Sequence, residues 1–215
     1  MADGVDVTPV ASDSTFENSL ANRAAAWHHG PVLSGLLSGY QATDETESAD
    51  LERMTRLAAT VGDPWSRALP MHFTASAVVV HPQSARVLLR WHVKHGRWLQ
   101  VGGHGDPGET SPLEIALREG AEEAGLADLA PWPDSALRHV VVCHVGPSGT
   151  EPEHEHADLR YVLATADPDA VRPENDQSPL RWLTLDEAAV LVGDNNLGVT
   201  LDRVRPLFEG ARPVR

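Results

Sequence analysis

The sequence predicts an α/β protein, or a layered α+β variant, with a helical extension before the domain. Cap signals and helical spacing of apolar residues mark the first part of the chain, whereas strand-like segments interspersed with helices follow residue 69. Hydrophobic residues make up 41% of the 215 and charged residues 22%, close to an average globular protein. We therefore divide the chain into an extension at residues 1–68 and a domain at residues 69–215.

Two helices are predicted in the extension. The segment Ser14–Glu17 has the spacing of a capping box, and apolar residues at helical spacing follow it until Gly30. Asp44 and Glu47 form a second cap signal, and apolar residues recur every three or four positions until Gly62. The extension could cover a site, form a homodimer or bind another partner.

The pattern changes at Pro70, where β-branched and small residues replace helical spacing. Turn residues such as His81–Ser84 separate the apolar segments. The predicted strands are His72–Val80, Arg86–Trp91, Trp98–Val101, Leu137–Val145, Asp158–Thr165 and Leu180–Leu183.

Three helices are predicted inside the domain. An amphipathic stretch runs from Pro112 to Ala124, where Gly125 ends it. A capping box at Thr184–Glu187 begins a second helix that reaches Val192, and a third stretch extends from Val199 to Phe208 with Pro206 inside it.

The net charge limits the possible partners. The 17 Lys+Arg and 31 Asp+Glu residues give a formal charge of −14. Binding a nucleic acid duplex needs clustered cations, and the sequence has no basic stripe, so we expect no duplex partner. Lys94 is the only lysine, which excludes a phosphate-binding loop of the Gly-Lys-Ser/Thr type.

Location and redox chemistry follow from what the sequence lacks. No window approaches the ~18 apolar residues of a membrane span, and no basic start followed by an apolar stretch resembles a signal peptide. We expect a cytoplasmic protein without a membrane partner. Cys143 is the only cysteine, so no intrachain disulfide can form, and its apolar strand predicts a buried residue.

The helix at Pro112–Ala124 carries the main chemical signal. Glu119, Glu122 and Glu123 lie at i, i+3 and i+4, on one face separate from the apolar stripe. Such a face is often only a solvated acidic surface. Here a strand and a Gly-rich loop precede it, and Mg²⁺ is commonly bound by a few carboxylates together with substrate phosphates. The pattern therefore indicates a divalent cation and phosphate chemistry.

These residues resemble the Nudix box, G-x5-E-x7-R-E-U-x-E-E-x-G-U, where U is aliphatic. The matching positions are Gly103, Glu109, Arg118, Glu119, Glu122, Glu123, Gly125 and Leu126. Eight residues instead of seven separate Glu109 from Arg118, and we expect the loop at Thr110–Pro112 to absorb the extra one. Gly120 replaces the aliphatic residue and suggests close packing at that point.

The resemblance implies a Nudix-type α/β/α sandwich with a mixed sheet. It also implies metal-dependent cleavage of a diphosphate linkage in a nucleoside diphosphate derivative or nucleoside triphosphate, by water attack at phosphorus. The implied ligands of Mg²⁺ or Mn²⁺ are Glu119, Glu122, Glu123 and Gly103. Arg118 would position Glu109, and the general base would be Glu119 or Glu122. The charge of −14 is compatible with a small polyanionic substrate when a cation compensates the carboxylates.

Substrate contacts are expected from the segment before the box. Cations and aromatic residues alternate between Arg90 and Trp98, so Arg90 and Arg97 could hold phosphates while a tryptophan stacks on a base. A plain hairpin with solvated ends explains the same pattern. His104, next to Gly103, is a further candidate for substrate contact.

A second polar cluster occurs at Glu153–Asp158. On a strand, His154, His156 and Asp158 would share a face, which is compatible with a transition-metal site. Alternatively an acidic residue of this segment supplies an outlying base or a further metal contact, or the segment is an exposed loop.

Two other functions use the same fold. A non-catalytic nucleotide-binding or regulatory module is the main alternative to a hydrolase. A prenyl-diphosphate isomerase would need a catalytic cysteine, and the apolar surroundings of Cys143 fit that poorly. Hydrolysis of a nucleotide panel with Mg²⁺ discriminates between these functions.

Overall fold

The computed structural model describes residues 33–149, 151–193 and 195–210. The helix predicted after Ser14 lies outside these ranges. The described part begins with α1 at Leu33–Gly39, which was not predicted, and α2 at Glu45–Thr60. Asp44 caps α2 as expected, because its carboxylate accepts a hydrogen bond from the Glu47 amide at 2.8 Å.

Eight strands form one mixed sheet. They are β1 at Met71–His81, β2 at Arg86–His92, β3 at Arg97–Leu99, β4 at Val101–Gly103, β5 at Ala130–Pro131, β6 at His139–Val145, β7 at His154–Ala164 and β8 at Leu180–Thr184. The path is β3-β2-β1-β7-β5, and β4, β6 and β8 pair with β1, β7 and β2 respectively. Only β1 and β7 pair in parallel among the described strands.

Helices cover both faces of this sheet. The remaining ones are α3 at Pro112–Ala124, α4 at Leu185–Val192 and α5 at Asn196–Gly210. Alternate residues of β1 point to opposite sides, as the strand period of two requires. Phe73 packs in one core cluster with α1, α2 and α3, whereas Val78 packs in another with α4 and α5. The α/β/α sandwich with a mixed sheet is therefore confirmed.

Several element boundaries differ from the predictions. β7 begins at His154, before the predicted Asp158, because its polar first residues pair with both β1 and β6. The single strand predicted at Trp98–Val101 is divided into β3 and β4 at Gln100. α5 begins before Val199 and contains Pro206. No described helix has the length and apolar character needed to cross a membrane.

The described helices of the extension pack directly on the sheet. Met54 and Leu57 of α2 belong to the same core cluster as Phe73 of β1. α2 also contacts β6, because the Asp50 carboxylate accepts a hydrogen bond from the Val142 amide at 2.8 Å. The domain boundary at residue 68 remains a prediction, but the hydrophobic core contains residues from both sides of it.

A buried ion pair joins α2 to α5. Glu47 is only 2% exposed, and its carboxylate accepts hydrogen bonds from Arg203 Nη2 at 2.9 Å and the Thr43 amide at 2.7 Å. The Tyr40 hydroxyl donates to the same carboxylate. Burial raises the pKa of Glu47, but these donors outweigh burial and lower it from 4.5 to about 2.

Replacing Glu47 with glutamine is expected to destabilise the fold by about 3 kcal/mol at neutral pH. The folded-state pKa lies below the unfolded one, so ionised Glu47 stabilises the fold fully above pH 4.5. This contribution is lost as the pH falls towards 2. Urea unfolding of wild type and Glu47→Gln across this pH range measures the difference.

The matched control is Glu52→Gln, which alters an exposed carboxylate on the same helix. Its effect should stay within about 0.5 kcal/mol at every pH. A Glu47→Gln effect equally small, or one that does not decrease in acid, would contradict the role of this ion pair.

Candidate active site

A cavity of about 540 Å³ opens between α3, the loop after β4 and the polar ends of β6 and β7. Five of the predicted site residues line it: Arg97, Gly103, His104, Glu119 and Glu123. The other four, Arg90, Glu109, Arg118 and Glu122, are not among its described lining residues. The structure thus divides the predicted set into a cavity wall and a supporting layer.

α3 places its carboxylates unequally. Gly125 ends the helix in the left-handed conformation, with φ of 67°. Glu122 and Glu123 therefore lie in the last helical turn. The side chains of Glu119 and Glu123 are 17% and 14% exposed and face the cavity, whereas that of Glu122 is 58% exposed. The acidic face of the helix is therefore partly buried, not a fully solvated surface.

The two cavity carboxylates are incompletely neutralised. Glu123 accepts a hydrogen bond from the Gly102 amide at 3.0 Å and pairs with Arg90 at 3.0 Å. Burial nevertheless raises the pKa of Glu123 to about 7. Burial also raises the pKa of Glu119, although Arg118 opposes the shift. Both groups would gain from a cation in the cavity.

Arg118 connects the loop carboxylate to the helix. Its Nη2 donates to Glu109 Oε2 at 2.9 Å and to the His104 carbonyl at 2.8 Å. Its Nη1 donates to Glu119 at 3.0 Å and to Glu122 at 3.1 Å. The hydrogen bonds from Arg118 lower the pKa of Glu109. Arg118 therefore holds three carboxylates and the loop in one arrangement.

The longer spacing between Glu109 and Arg118 leaves this arrangement intact. α3 begins at Pro112 with Ser111 as its N-cap. The Asp106 amide donates to Glu109 Oε2 at 2.7 Å, which folds the loop back towards Arg118. That Thr110–Pro112 absorbs the extra residue remains a prediction.

Two glycines allow close approach at the site. A Cβ on Gly103 would lie 2.7 Å from Cδ of Glu119, so only glycine lets the strand pass this carboxylate without displacement. A Cβ on Gly120 would lie 3.0 Å from Cδ1 of Leu129, in agreement with the close packing predicted there. Gly103 brings backbone against the site, whereas Gly120 lets α3 pack closely on the core.

The predicted substrate contacts occupy different positions. Arg97 is exposed at the cavity, and His104 lines it with Nδ1 at 2.8 Å from Arg67 Nη2. Arg90 is buried and pairs with Glu123 and, at 2.9 Å, with Glu174. Arg90 itself is not among the described lining residues, and its contact with substrate remains a prediction.

The tryptophans of this segment do not form the expected stacking surface on the cavity. Trp91 and Trp98 pack against each other at 5.7 Å between ring centroids, and neither is among the described lining residues. Arg181 lies over Trp98 at 5.5 Å. Their packing across β2 and β3 explains the aromatic pattern without a bound base.

A buried polar network lies beside the carboxylates and was largely missed from the sequence. Asp158 accepts hydrogen bonds from Ser76 at 2.8 Å, Thr74 at 3.0 Å and Arg160 at 2.8 Å. Gln100 donates to it at 3.3 Å. From the sequence, Asp158 was considered as a metal contact or an outlying base, and pairing of β1 with β7 brings Thr74 and Ser76 to it.

Other residues of the second polar cluster point elsewhere. Glu155 pairs with Arg53 at 2.5 Å, and Glu153 lies 3.5 Å from His144. Neither is among the described residues that line the cavity. Of the three acidic residues considered as an outlying base, the structure brings only Asp158 to the cavity.

Cys143 is half-buried in the cavity wall, so the prediction of a fully buried residue is wrong. Its sulfur lies 3.5 Å from Arg160 Nη2 and 3.4 Å from Asn196 Nδ2. Burial raises the pKa of its thiol, which keeps it protonated at neutral pH. This environment disfavours a nucleophilic cysteine.

The donors on α3 and β4 fit a hard divalent cation. Carboxylate and carbonyl oxygens suit Mg²⁺ and Mn²⁺, and Glu119, Glu123 and Gly103 supply them at one wall of the cavity. Burial raises the pKa of both glutamates, so a cation beside them would favour their ionised forms. The residues present could therefore hold the ion.

A family model for the NUDIX domain matches residues 70–203. Comparison with curated proteins gives no match. Among solved structures, a binary complex of the C. elegans Ap4A hydrolase aligns with a TM-score of 0.51 and 20% identity, covering 64% of this chain and 98% of that one.

Two further structures align less well. One is a NUDIX-family hydrolase from Clostridium perfringens, with a TM-score of 0.48 and 22% identity over 63% of this chain and 97% of that chain. The other is the E. coli dihydroneopterin triphosphate pyrophosphohydrolase, with a TM-score of 0.47 and 18% identity over 63% and 94%. The likeness to the Ap4A hydrolase shows a shared fold. Since the family model covers well over half of the sequence, the chain belongs to the NUDIX family and is an enzyme of the Nudix hydrolase class.

Proposed function

We propose that the chain is a metal-dependent pyrophosphohydrolase. It cleaves a diphosphate linkage in a nucleoside diphosphate derivative or nucleoside triphosphate by water attack at phosphorus. The observation that carries this proposal is the pair of partly buried carboxylates, Glu119 and Glu123, beside Gly103 on the cavity wall. Such a wall repels a bare polyanion and accepts one that arrives with a divalent cation.

The proposed ligands of Mg²⁺ or Mn²⁺ are Glu119, Glu123, the outer carboxylate Glu122 and the carbonyl of Gly103. When bound, such an ion neutralises the diphosphate and lowers the pKa of an attacking water. The hydrogen bonds from Arg118 hold the side chains of Glu119 and Glu122 on the helix face. The Gly102 amide and Arg90 do the same for Glu123.

We assign the role of general base to Glu119 in preference to Glu122. Glu119 lines the cavity, where a water in line with the scissile bond must lie, whereas Glu122 is largely exposed and is not among the described lining residues. Arg118 and Glu109 act as positioning residues, because neither is among the described residues that line the cavity.

Exposed cations at the cavity would contact the phosphates. Arg97, Arg67 and Lys94 line it, and Lys94 pairs with Glu151 at 2.5 Å. These side chains line the same cavity as Glu119 and Glu123 and would share the charge of a diphosphate with the metal. His104 also lines the cavity and is proposed as a further substrate contact. The cytoplasmic location and the homodimer remain predictions.

Hydrolysis of a nucleotide panel by the full chain tests the proposal. The panel contains nucleoside triphosphates, dinucleoside polyphosphates and nucleoside diphosphate sugars, each with Mg²⁺ and with chelator. At least one member should be cleaved between two phosphorus atoms, and chelator should abolish the reaction. Turnover that persists in chelator, or absence of turnover on all members, would contradict it.

A further inference from the structure

Four histidines meet at one end of the cavity. Nε2 of His72 lies 3.0 Å from Nε2 of His104, and Nε2 of His154 lies 3.1 Å from Nε2 of His156. The ring of His72 is 5.3 Å from that of His154 and 5.1 Å from that of His156. Of the four in this histidine cluster, only His104 was assigned to the carboxylate site described above.

Parallel pairing of β1 and β7 assembles the cluster. His72 is the direct partner of His156, and His154 lies two residues earlier on the same face of β7. Asp158, considered from the sequence as the third member, is instead surrounded by Ser76, Thr74 and Arg160. The third imidazole comes from β1.

Backbone contacts orient two of these rings as metal ligands. His72 Nδ1 lies 3.1 Å from the Leu69 carbonyl, and His154 Nδ1 lies 2.8 Å from the Pro152 carbonyl. A carbonyl only accepts, so in each ring the proton is on Nδ1 and the lone pair on Nε2. Ligating histidines commonly donate their other nitrogen to a carbonyl in this way.

His104 has the opposite tautomer. Arg67 can only donate, so Nδ1 of His104 accepts and its Nε2 carries the proton that points to His72. His104 can therefore donate a hydrogen bond to a group held by the other three rings. It is a supporting residue of the cluster and not one of its ligands.

His72 and His154 thus direct their Nε2 lone pairs into the cluster, towards His104 and His156 respectively. A cation between the rings could take the place of these contacts.

We propose that His72, His154 and His156 bind one transition-metal dication of the Zn²⁺ class, with a coordination position open to the cavity. One ligand atom from each lies within 4.8 Å of the others, and a small adjustment brings them to the ~2.0–2.1 Å typical of Zn–N bonds. Three imidazoles with an open position form a set that catalytic zinc sites use.

This site and the carboxylate site should select different ions. Imidazole nitrogens prefer Zn²⁺, Cu²⁺ or Ni²⁺, whereas the oxygens of Glu119 and Glu123 prefer Mg²⁺ or Mn²⁺. His154 and His156 line the same cavity as the two glutamates, whereas His72 is buried and is not among its described lining residues, so an anion on the open position would lie near the diphosphate site. His104 would donate to that anion.

Calorimetric titration of Zn²⁺ into the metal-stripped full chain, in excess Mg²⁺, tests the proposal. Wild type should bind one Zn²⁺ at this site, and His154→Gln/His156→Gln should weaken it by roughly 100-fold or more. The matched control His144→Gln removes an exposed histidine of the same cavity and should leave affinity unchanged. The double variant Glu119→Gln/Glu123→Gln should also retain the wild-type affinity for Zn²⁺. Equal affinity in the double histidine variant, or loss in the carboxylate variant, would overturn the proposal.

X-ray absorption of the wild-type zinc complex provides a test that needs no variant. Three imidazole nitrogens at about 2.0–2.1 Å are expected around the ion. A first shell made only of oxygen atoms would overturn the assignment, even if the histidine variants fail to fold.

Discussion

Glu119→Gln is expected to lower kcat by roughly 10³-fold. Glutamine keeps the size of the side chain and can still accept from Arg118, so the helix and its packing should be unchanged. What is lost is the negative charge on the cavity wall and the proposed proton acceptor. Steady-state kinetics at saturating Mg²⁺ measure the effect, with the best substrate of the panel.

Two other glutamates of α3 provide the controls. Glu114 is exposed on the same helix, away from the cavity, so Glu114→Gln should change kcat by less than about twofold. Glu122→Gln should have an intermediate effect, because Glu122 belongs to the acidic face but is largely exposed. Equal activity in Glu119→Gln and Glu114→Gln would show that the cavity carboxylate is not needed.

Arg118→Met is expected to have the next largest effect, a fall in kcat of roughly 10²-fold. The variant releases Glu109 and the His104 carbonyl, and it removes the donor that orients Glu119. Because Arg118 is proposed to act through other groups, KM should change less than kcat. Kinetics at several Mg²⁺ concentrations should also show a higher metal requirement.

Arg118→Lys tests whether Arg118 acts through its positive charge or through the geometry of its hydrogen bonds. Arg118→Lys keeps the charge but cannot make the several directed hydrogen bonds of a guanidinium, so we expect it to remain impaired. Arg56→Met removes an arginine whose ion pair with Glu52 is exposed, and it should behave as wild type. Full activity in Arg118→Lys would mean that only a nearby positive charge is required.

The sequence predicts the acidic helix and its loop because their signals are local. Spacing at i, i+3 and i+4 places Glu119, Glu122 and Glu123 on one face without any tertiary information. The contact between Arg118 and Glu109 forms despite the additional residue between them. The Arg118–Glu109 contact follows from the family resemblance and is present in the structure.

The remaining features depend on pairing between distant segments. His72 reaches His156, and Ser76 reaches Asp158, only because β1 and β7 pair in parallel across more than 80 residues of sequence. No local pattern specifies that register. The unequal exposure of Glu119 and Glu122 also comes from tertiary packing, since both occupy the acidic face of an ideal helix.

The short elements were missed for a different reason. β5 consists of Ala130 and Pro131, too short for any periodicity to be visible. α1 is rich in glycine and serine, which have low helix propensity, and its packing through Leu37 stabilises it instead. In both cases the tertiary context determines the local structure.

We propose that water attacks phosphorus in the cavity beside Glu119. Mass spectrometry of products formed in water labelled with heavy oxygen measures where the water oxygen goes. We expect the label in one phosphoryl product per cleavage with wild type, and almost no labelled product with Glu119→Gln. Cleavage without incorporation of label into a phosphoryl group, or equal labelled product from Glu119→Gln, would contradict the claim.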